Sequence, residues 1–408
     1  MYRTILLAVL MFASASSIAR SAEPAAKSDI PTPKFERQVI DAKIQIGYGL
    51  AIGDVDGDGK PDILLADKKQ IVWYRNPDWK RFVMAEDLTP QDNVCIAARD
   101  IDGSGKVSVA VGAGWNPSET TDPTKSGGVF YLIRPKDPTQ HWEPVRLHHE
   151  VTTHRMQWIK VGPGKKDSQL VVVPLHGQGN KDGKGDGVRI LAYDVPNDPH
   201  GEWKTHLIDD TMHITHNFDR APDLFGFEGI LIAGREGVKL CVPSPGGQEW
   251  GKVPPVDNSS RKLGVGEARI CLSAGSGGSL INLATIEPMH GNEVVYYHQV
   301  NLDHSSRIVL DDTLVEGHAL ACANLLGPMQ NGEQIVAGWR APNKEKKVGI
   351  KLYVQMGEKW QTHLIDDNQM ACEDLKIADL DGDGQPDIIA SGRATHNLVV
   401  YWNRTKAK

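Results

Sequence analysis

Two nine-residue stretches near opposite ends of the chain read almost identically. Asp54-Val-Asp-Gly-Asp-Gly-Lys-Pro-Asp62 is the first, and Asp379-Leu-Asp-Gly-Asp-Gly-Gln-Pro-Asp387 is the second. Each puts carboxylates at loop positions one, three, five and nine, with glycines between them. One short loop of this spacing can wrap a hard cation and offer it oxygens, so calcium is the expected guest. Asp54, Asp56, Asp58 and Asp62 would hold one ion, and Asp379, Asp381, Asp383 and Asp387 another. The flanks match as well, which makes these loops the first and last copies of a repeat.

Long helical patterns are missing. Short Val/Ile/Leu/Tyr runs are broken by Gly, Pro, Asn and Asp, the signal of many short strands. A unit begins with an inner apolar strand such as Leu50-Ala-Ile-Gly53, turns through an Asp or Gly loop, and continues into Asp62-Ile-Leu-Leu-Ala66. An aromatic third strand and a more polar fourth follow. Asp100-Ile-Asp-Gly-Ser-Gly-Lys-Val-Ser108 is a weakened copy of the loop, 46 residues after the first. That is close to the roughly 40–45 residues of a four-stranded propeller blade. Fainter copies start near Met156, Phe218, Ala268, Ala319 and Asp374, giving seven units.

The two ends supply the strongest check. Glu202-Trp-Lys-Thr-His-Leu-Ile-Asp-Asp210 and Lys359-Trp-Gln-Thr-His-Leu-Ile-Asp-Asp367 read as fourth strands. Lys34-Phe-Glu-Arg-Gln-Val-Ile-Asp41 matches them but precedes the first unit, and the last unit has only three strands. The N-terminal strand can complete the last blade and leave no open edge. The expected fold is all-β, a seven-bladed β-propeller over residues 34–408.

The Asp-x-Asp-Gly-Asp-Gly-x-Pro-Asp loop followed by an apolar strand resembles the FG-GAP or VCBS repeat family. The resemblance is specific over 50–66 and 375–391 and partial over 96–112. It differs from an EF-hand, because the twelfth loop position is Leu65 or Ala390 where a Glu is needed. The resemblance implies a calcium-stiffened propeller and no single activity.

Residues 1–22 have the layout of a secretory signal, with Arg3, an apolar core from Thr4 to Phe12, and small residues near a cleavage site. Residues 23–33 read as a disordered leader. The chain is thus expected to be exported, to a periplasm or outside the cell, with no membrane span in its mature form. The net charge of −7 comes with no basic stripe, which argues against nucleic acid. Five widely spaced cysteines (Cys95, Cys241, Cys271, Cys322 and Cys372) are expected as buried free thiols.

In a four-stranded antiparallel blade the Asp loops lie on one face. The second-to-third loops and blade connections lie on the other. That second face gathers Trp115, His176, Arg235, His290, Trp339, Arg340, Arg393 and His396, together with His154, Arg155, His213, His216, Glu267, His318 and Glu373. The inner-strand starts align as Tyr48, Val94, Arg155, Asn217, Glu267, His318 and Glu373. Imidazoles and carboxylates together suit zinc or another divalent transition metal, with His216, Glu267, His318 and Glu373 as expected ligands. They equally suit acid–base work near neutral pH, assigned to His154, His176, His290 and Tyr48. Arg155, Arg235, Arg340, Arg393, His396, Trp115 and Trp339 are the expected substrate-binding groups, the arginines for anionic or hydroxyl-rich groups and the rings for stacking.

The chain is loosely similar to the propeller part of aldos-2-ulose dehydratases, which dehydrate keto-sugars such as 1,5-anhydrofructose. The similarity lies in the histidine-bearing connections and in Gly392-Arg-Ala-Thr-His-Asn-Leu-Val-Val-Tyr-Trp402. It implies a carbohydrate-active lyase that removes a proton next to a metal-polarised carbonyl. A polysaccharide lyase acting on uronates would use the same parts. A non-catalytic propeller that binds carbohydrate or protein is the other reading, favoured if calcium alone is bound.

Overall fold

The computed structural model describes residues 30–164, 166–221, 226–256, 264–272, 281–298, 306–327 and 332–406. The expected signal segment, 1–22, and most of the leader lie outside these residues. The described chain forms 28 strands in seven four-stranded antiparallel sheets. Each sheet is a blade. The inner strands, in order, are Gly49–Gly53, Cys95–Arg99, Thr153–Lys160, Thr215–Arg220, Glu267–Leu272, Gly317–Ala323 and Cys372–Ala378. None of the described helices is long and apolar enough to cross a membrane.

The N-terminal strand Phe35–Asp41 pairs antiparallel with Asn397–Asn403, from Phe35 opposite Asn403 to Asp41 opposite Leu398. It is the outer strand of blade 7, as its likeness to other fourth strands predicts. Lys34 and Thr405 add a hydrogen bond of 3.0 Å beyond the ladder. Ile30, within the expected leader, packs partly buried against the core between blades 6 and 7.

The core is divided among the blade interfaces. Period-2 alternation sends successive side chains of one strand to opposite faces of its sheet. Leu64 and Ala66 therefore enter a cluster with Ile96 and Val109 of blade 2, while Ile63 and Leu65 enter one with Ile389 and Val400 of blade 7. Seven such clusters occur among the described residues, one at each interface around the ring. The cluster between blades 7 and 1 closes the circle. Both faces of every blade are apolar, which explains the continuous hydrophobic runs of the second strands.

One expectation fails. Cys271 and Cys322 form a disulfide between the inner strands of blades 5 and 6. Cys95, Cys241 and Cys372 are free and buried as expected. The bonded pair is 51 residues apart, about one repeat, so only closure of neighbouring blades brings it together.

Candidate functional site

The Asp loops join the inner strand of a blade to its second strand, so they sit at the C-terminal ends of the inner strands. Their first aspartate organises the turn. Asp54 accepts hydrogen bonds from Gly57 N (2.5 Å) and Gly59 N (2.8 Å), and Asp379 accepts from Gly382 N (2.8 Å) and Gly384 N (2.9 Å). Gly57 and Gly59 have φ of +87° and +84°, a region that L side chains avoid. Oxygens of Asp54, Asp56 and Asp58 lie within 4.8 Å of one another, as do those of Asp379, Asp381 and Asp387. This donor set fits a hard cation.

Position nine does a second job. Asp62 is fully buried and accepts Val55 N and Asn76 N, both at 2.8 Å. Burial pushes its carboxyl up to about 7, against the two backbone bonds and with help from Asp56 and Asp54. Asp387 repeats the arrangement with Leu380 N and Asn403 N, and burial raises it to about 6. The two loops differ in how closely a cation approaches them, with Lys60 3.9 Å from Asp58 on the first. On the last loop Arg404 comes closer, reaching Asp381 at 2.8 Å and Asp383 at 3.4 Å.

The opposite ends of the inner strands carry a different construction. On four blades the register with the second strand slips by one residue. The slips fall between Thr153 and Arg155, Thr215 and Asn217, Gly317 and Ala319, and Cys372 and Asp374. The extra residues are His154, His216, His318 and Glu373. A β-bulge bends its strand and re-aims the extra side chain. These four side chains are nearly fully buried (1–5% exposed). The sequence alignment placed Arg155 and Asn217 at this ring position on blades 3 and 4, one residue too late. The shared Thr-His step of Thr153-His154 and Thr215-His216 is the signal that would have corrected it.

Blade 5 has Gly266 where its neighbours have a bulged side chain. A Cβ there would meet His290 N at 3.1 Å and the Met289 Cα at 3.3 Å. The missing side chain lets the second-to-third loop move in, and His290, at φ +53°, fills the gap. The loop is anchored by buried Glu287, which accepts from Thr285 Oγ1 (2.7 Å), Tyr297 Oη (2.6 Å) and Arg307 (2.9 Å).

One nitrogen from each of His216, His290 and His318 comes together within 4.8 Å. His216 Nδ1 donates to Gly266 O at 2.9 Å, and His318 Nδ1 donates to Glu373 O at 2.7 Å. A carbonyl only accepts, so each Nδ1 carries a proton and each Nε2 is the nitrogen turned toward the cluster. His216 Nε2 lies 2.6 Å from His290 Nε2. Two bare lone pairs repel at that separation, so the contact needs a proton or a cation between them. Burial, then neighbouring charge, lowers His290 to about 3 and His318 well below the ordinary imidazole value. Neutral rings suit metal ligation.

Glu267 and Glu373, expected as ligands beside these histidines, are directed elsewhere. Glu267 accepts two hydrogen bonds from Asn217 Nδ2 (2.8 and 2.7 Å) and one from Arg269 (3.0 Å). One of its oxygens lies 3.4 Å from His216 Nδ1. Burial opposes its charge, but Arg269, His216 and Asn217 outweigh it and hold the carboxyl at about 2. Both oxygens of Glu373 meet Arg340 NH1, at 3.1 and 2.8 Å. The carboxylates thus stand behind the imidazoles rather than among them.

The remaining expected site residues divide into two groups. His154 lies beside the trio, 5.2 Å from His216 between ring centres, and Trp115 stacks on it at 5.0 Å. Its ring neighbours the His216 carbonyl, yet Nδ1 is buried without a hydrogen-bond partner of good geometry. Burial, then Arg155, keeps it neutral. Arg155 donates to the His154 carbonyl at 3.0 Å. Arg393 lies 3.4 Å from Glu373, with its guanidinium 5.5 Å from the Tyr48 ring centre. Burial pushes the Tyr48 phenol up to about 12.

Trp339 does not line the mouth. It is 2% exposed, packs in the core between blades 5 and 6, and donates Nε1–H to Lys347 O at 2.8 Å. Arg235 is exposed and donates to the Asp182 carbonyl of a neighbouring hairpin. His213 is bonded to Glu236 at 3.0 Å. His396 is exposed and bonded to Gln45 O at 2.8 Å. His176 is half-buried, and its Nδ1 has no partner.

Residues 54–111 match the FG-GAP-like repeat family, from the first Asp loop to the second strand of blade 2. None of the curated proteins matches the chain in sequence. Solved structures share the fold. A chain of the mitotic checkpoint complex is 10% identical with a TM-score of 0.55, covering 96% of this chain and 100% of that one. A chain of the BBS1N complex with ARL6DN is 13% identical with a TM-score of 0.56, covering 93% and 98%. At such identities the likeness concerns the fold alone.

Proposed function

We propose that this protein is an exported, metal-dependent carbohydrate lyase. The observation that carries the reading is the convergence of His216, His290 and His318, two of them with the Nδ1 proton tied to a backbone carbonyl. Such outer hydrogen bonds orient metal-bound imidazoles and set their tautomer. Three imidazoles with open positions suit a catalytic zinc or a similar divalent ion, and such an ion would supply a Lewis acid for a substrate carbonyl. Glu267 and Glu373 then act from the outer shell.

The chain's own residues cover the other needs of an elimination. His154, neutral and beside the trio, is placed to take a proton from the carbon next to the carbonyl. Tyr48, protonated across the physiological range, is the group suited to protonate the departing oxygen. Trp115 offers a half-buried ring beside His154 for a sugar face. Keto-sugars of the 1,5-anhydrofructose type and uronate polymers both present the required acidic C–H. The Cys271–Cys322 disulfide supports an oxidising, exported setting. The two Asp loops support calcium as a structural ion on the far face.

The test is elemental analysis of the purified protein, followed by incubation with both substrate types while enone or unsaturated uronide absorbance is watched. A transition metal near one per chain with new absorbance supports the reading. Calcium alone and no absorbance leaves a non-catalytic binding propeller. The ion pair between Arg340 and Glu373 favours that alternative, because it satisfies two mouth residues without any ligand.

A further inference from the structure

The mouth is not symmetric. The converging imidazoles and His154 come from blades 3 to 6, and Tyr48, Arg340, Glu373 and Arg393 come from blades 6, 7 and 1. One run of contacts joins the two groups. His318 binds the Glu373 carbonyl, the Glu373 carboxylate binds Arg340 and touches Arg393, and Arg393 covers Tyr48. The acids here are already matched. Glu316 and Glu373 both pair with Arg340 at 2.8 Å, and Asp92 pairs with Lys69 at 3.8 Å.

Arg393 is matched less closely. It makes a long contact of 3.4 Å to Glu373 and lies over the Tyr48 ring, and its side chain is 42% exposed. The partly exposed Arg393 guanidinium has the planar, forked geometry that suits a carboxylate. A divalent ion held by neutral imidazoles would add further positive charge. A neutral sugar would leave this field unanswered, whereas an anionic one would meet it.

We propose that the mouth selects sugars that carry a carboxylate, with Arg393 as the principal contact, so that the substrate class is a uronate rather than a neutral keto-sugar. This rests on the carbohydrate reading of the site but not on the metal. In the corresponding elimination the C–H next to the carboxylate gives its proton to an imidazole. Its electron pair becomes a C=C bond, and the β-oxygen leaves and takes up a proton. No oxidant or reductant is needed.

The experiment is calorimetric titration of the mature protein with trimers of galacturonate, mannuronate and glucuronate, each beside its methyl ester. It is run on metal-free and cobalt-loaded protein. At least one acid form should bind tenfold or more tightly than its ester, and added salt should weaken it. Arg393→Ala should bring the ratio close to one, and Arg393→Lys should restore part of it, with the cobalt spectrum unchanged in both. The proposal is overturned if no acid form binds more tightly than its ester, or if Arg393→Ala keeps the full ratio. A protein that takes up no cobalt but keeps the acid preference sinks the metal centre and leaves this proposal standing.

Discussion

The two ends of the propeller channel both gather side chains that could hold a cation, yet they are built by opposite means. On the Asp-loop face, each ligand set comes from one nonapeptide, and backbone N–H groups of that same loop hold the carboxylates in place. At the mouth, the three imidazoles come from blades 4, 5 and 6, and what aims them is a bulge, a glycine and carbonyls of the next blade. The inner strands between the two ends run five to eight residues, roughly 16–26 Å at the rise of a strand. Local chemistry makes the first site robust to changes elsewhere in the ring. The second depends on every interface that sets one blade against the next.

This contrast can be broken at either end. The largest effect is expected from His318→Ala, which removes a proposed ligand. Transition-metal affinity should fall by more than about 100-fold, beyond the roughly 10–100-fold typical of outer-shell partners. Competition with a chromophoric chelator measures it, and calcium binding on the far face should not change. Unaltered metal stoichiometry at equal affinity would remove His318 from the centre.

Asp62→Ala attacks the other face. It strands Val55 N and Asn76 N in a buried turn, and each orphaned donor costs about 1–3 kcal/mol. A stability loss of about 3 kcal/mol in denaturant unfolding is expected, whether or not calcium is present. Calcium chelation with Asp62 intact should cost less, because those two hydrogen bonds survive.

Two milder changes sharpen the comparison at the mouth. Glu267→Gln keeps the shape but removes the charge behind His216. Metal affinity should drop about tenfold, at the lower end for an outer-shell residue. Gly266→Ala puts a methyl group 3.1 Å from His290 N, which is tighter than ordinary contact. It should displace the His290 loop and weaken the metal by a similar factor, while the unfolding midpoint shifts little.

The smallest effect is expected from Arg404→Ala. An exposed ion pair contributes about 0.2–1 kcal/mol, so removing this built-in cation should strengthen calcium at the last loop a few-fold. The first loop should be unaffected, and two-site calorimetry separates them. Equal changes at both loops would mean that Arg404 acts on the ring as a whole.

The same contrast explains what could be read in advance. The blades, their number and the closing strand were legible because each is written in short-range patterns, such as the apolar run Asp62-Ile-Leu-Leu-Ala66 or the likeness of Lys34–Asp41 to Lys359–Asp366. The face that would carry His154, His216, His290 and His318 followed from strand direction alone. The roles within that face did not. A one-residue bulge leaves no gap in a sequence, so Arg155 and Asn217 were aligned where His154 and His216 stand. Trp339 ends its second strand next to Arg340, but strand parity turns it into the core. Cys271 and Cys322 look isolated until two blades are set side by side.

The sequence by itself determined the repeat, its seven copies, its circular closure and the Asp loops, because each is written in a short local pattern of strand and turn residues. Tertiary structure alone decided which imidazoles meet, which carboxylates stand behind them and which cysteines join. Those outcomes depend on the relative rotation and register of neighbouring blades. They arise from packing across interfaces between residues about fifty positions apart, where a shift of one residue turns a side chain from the channel to the core.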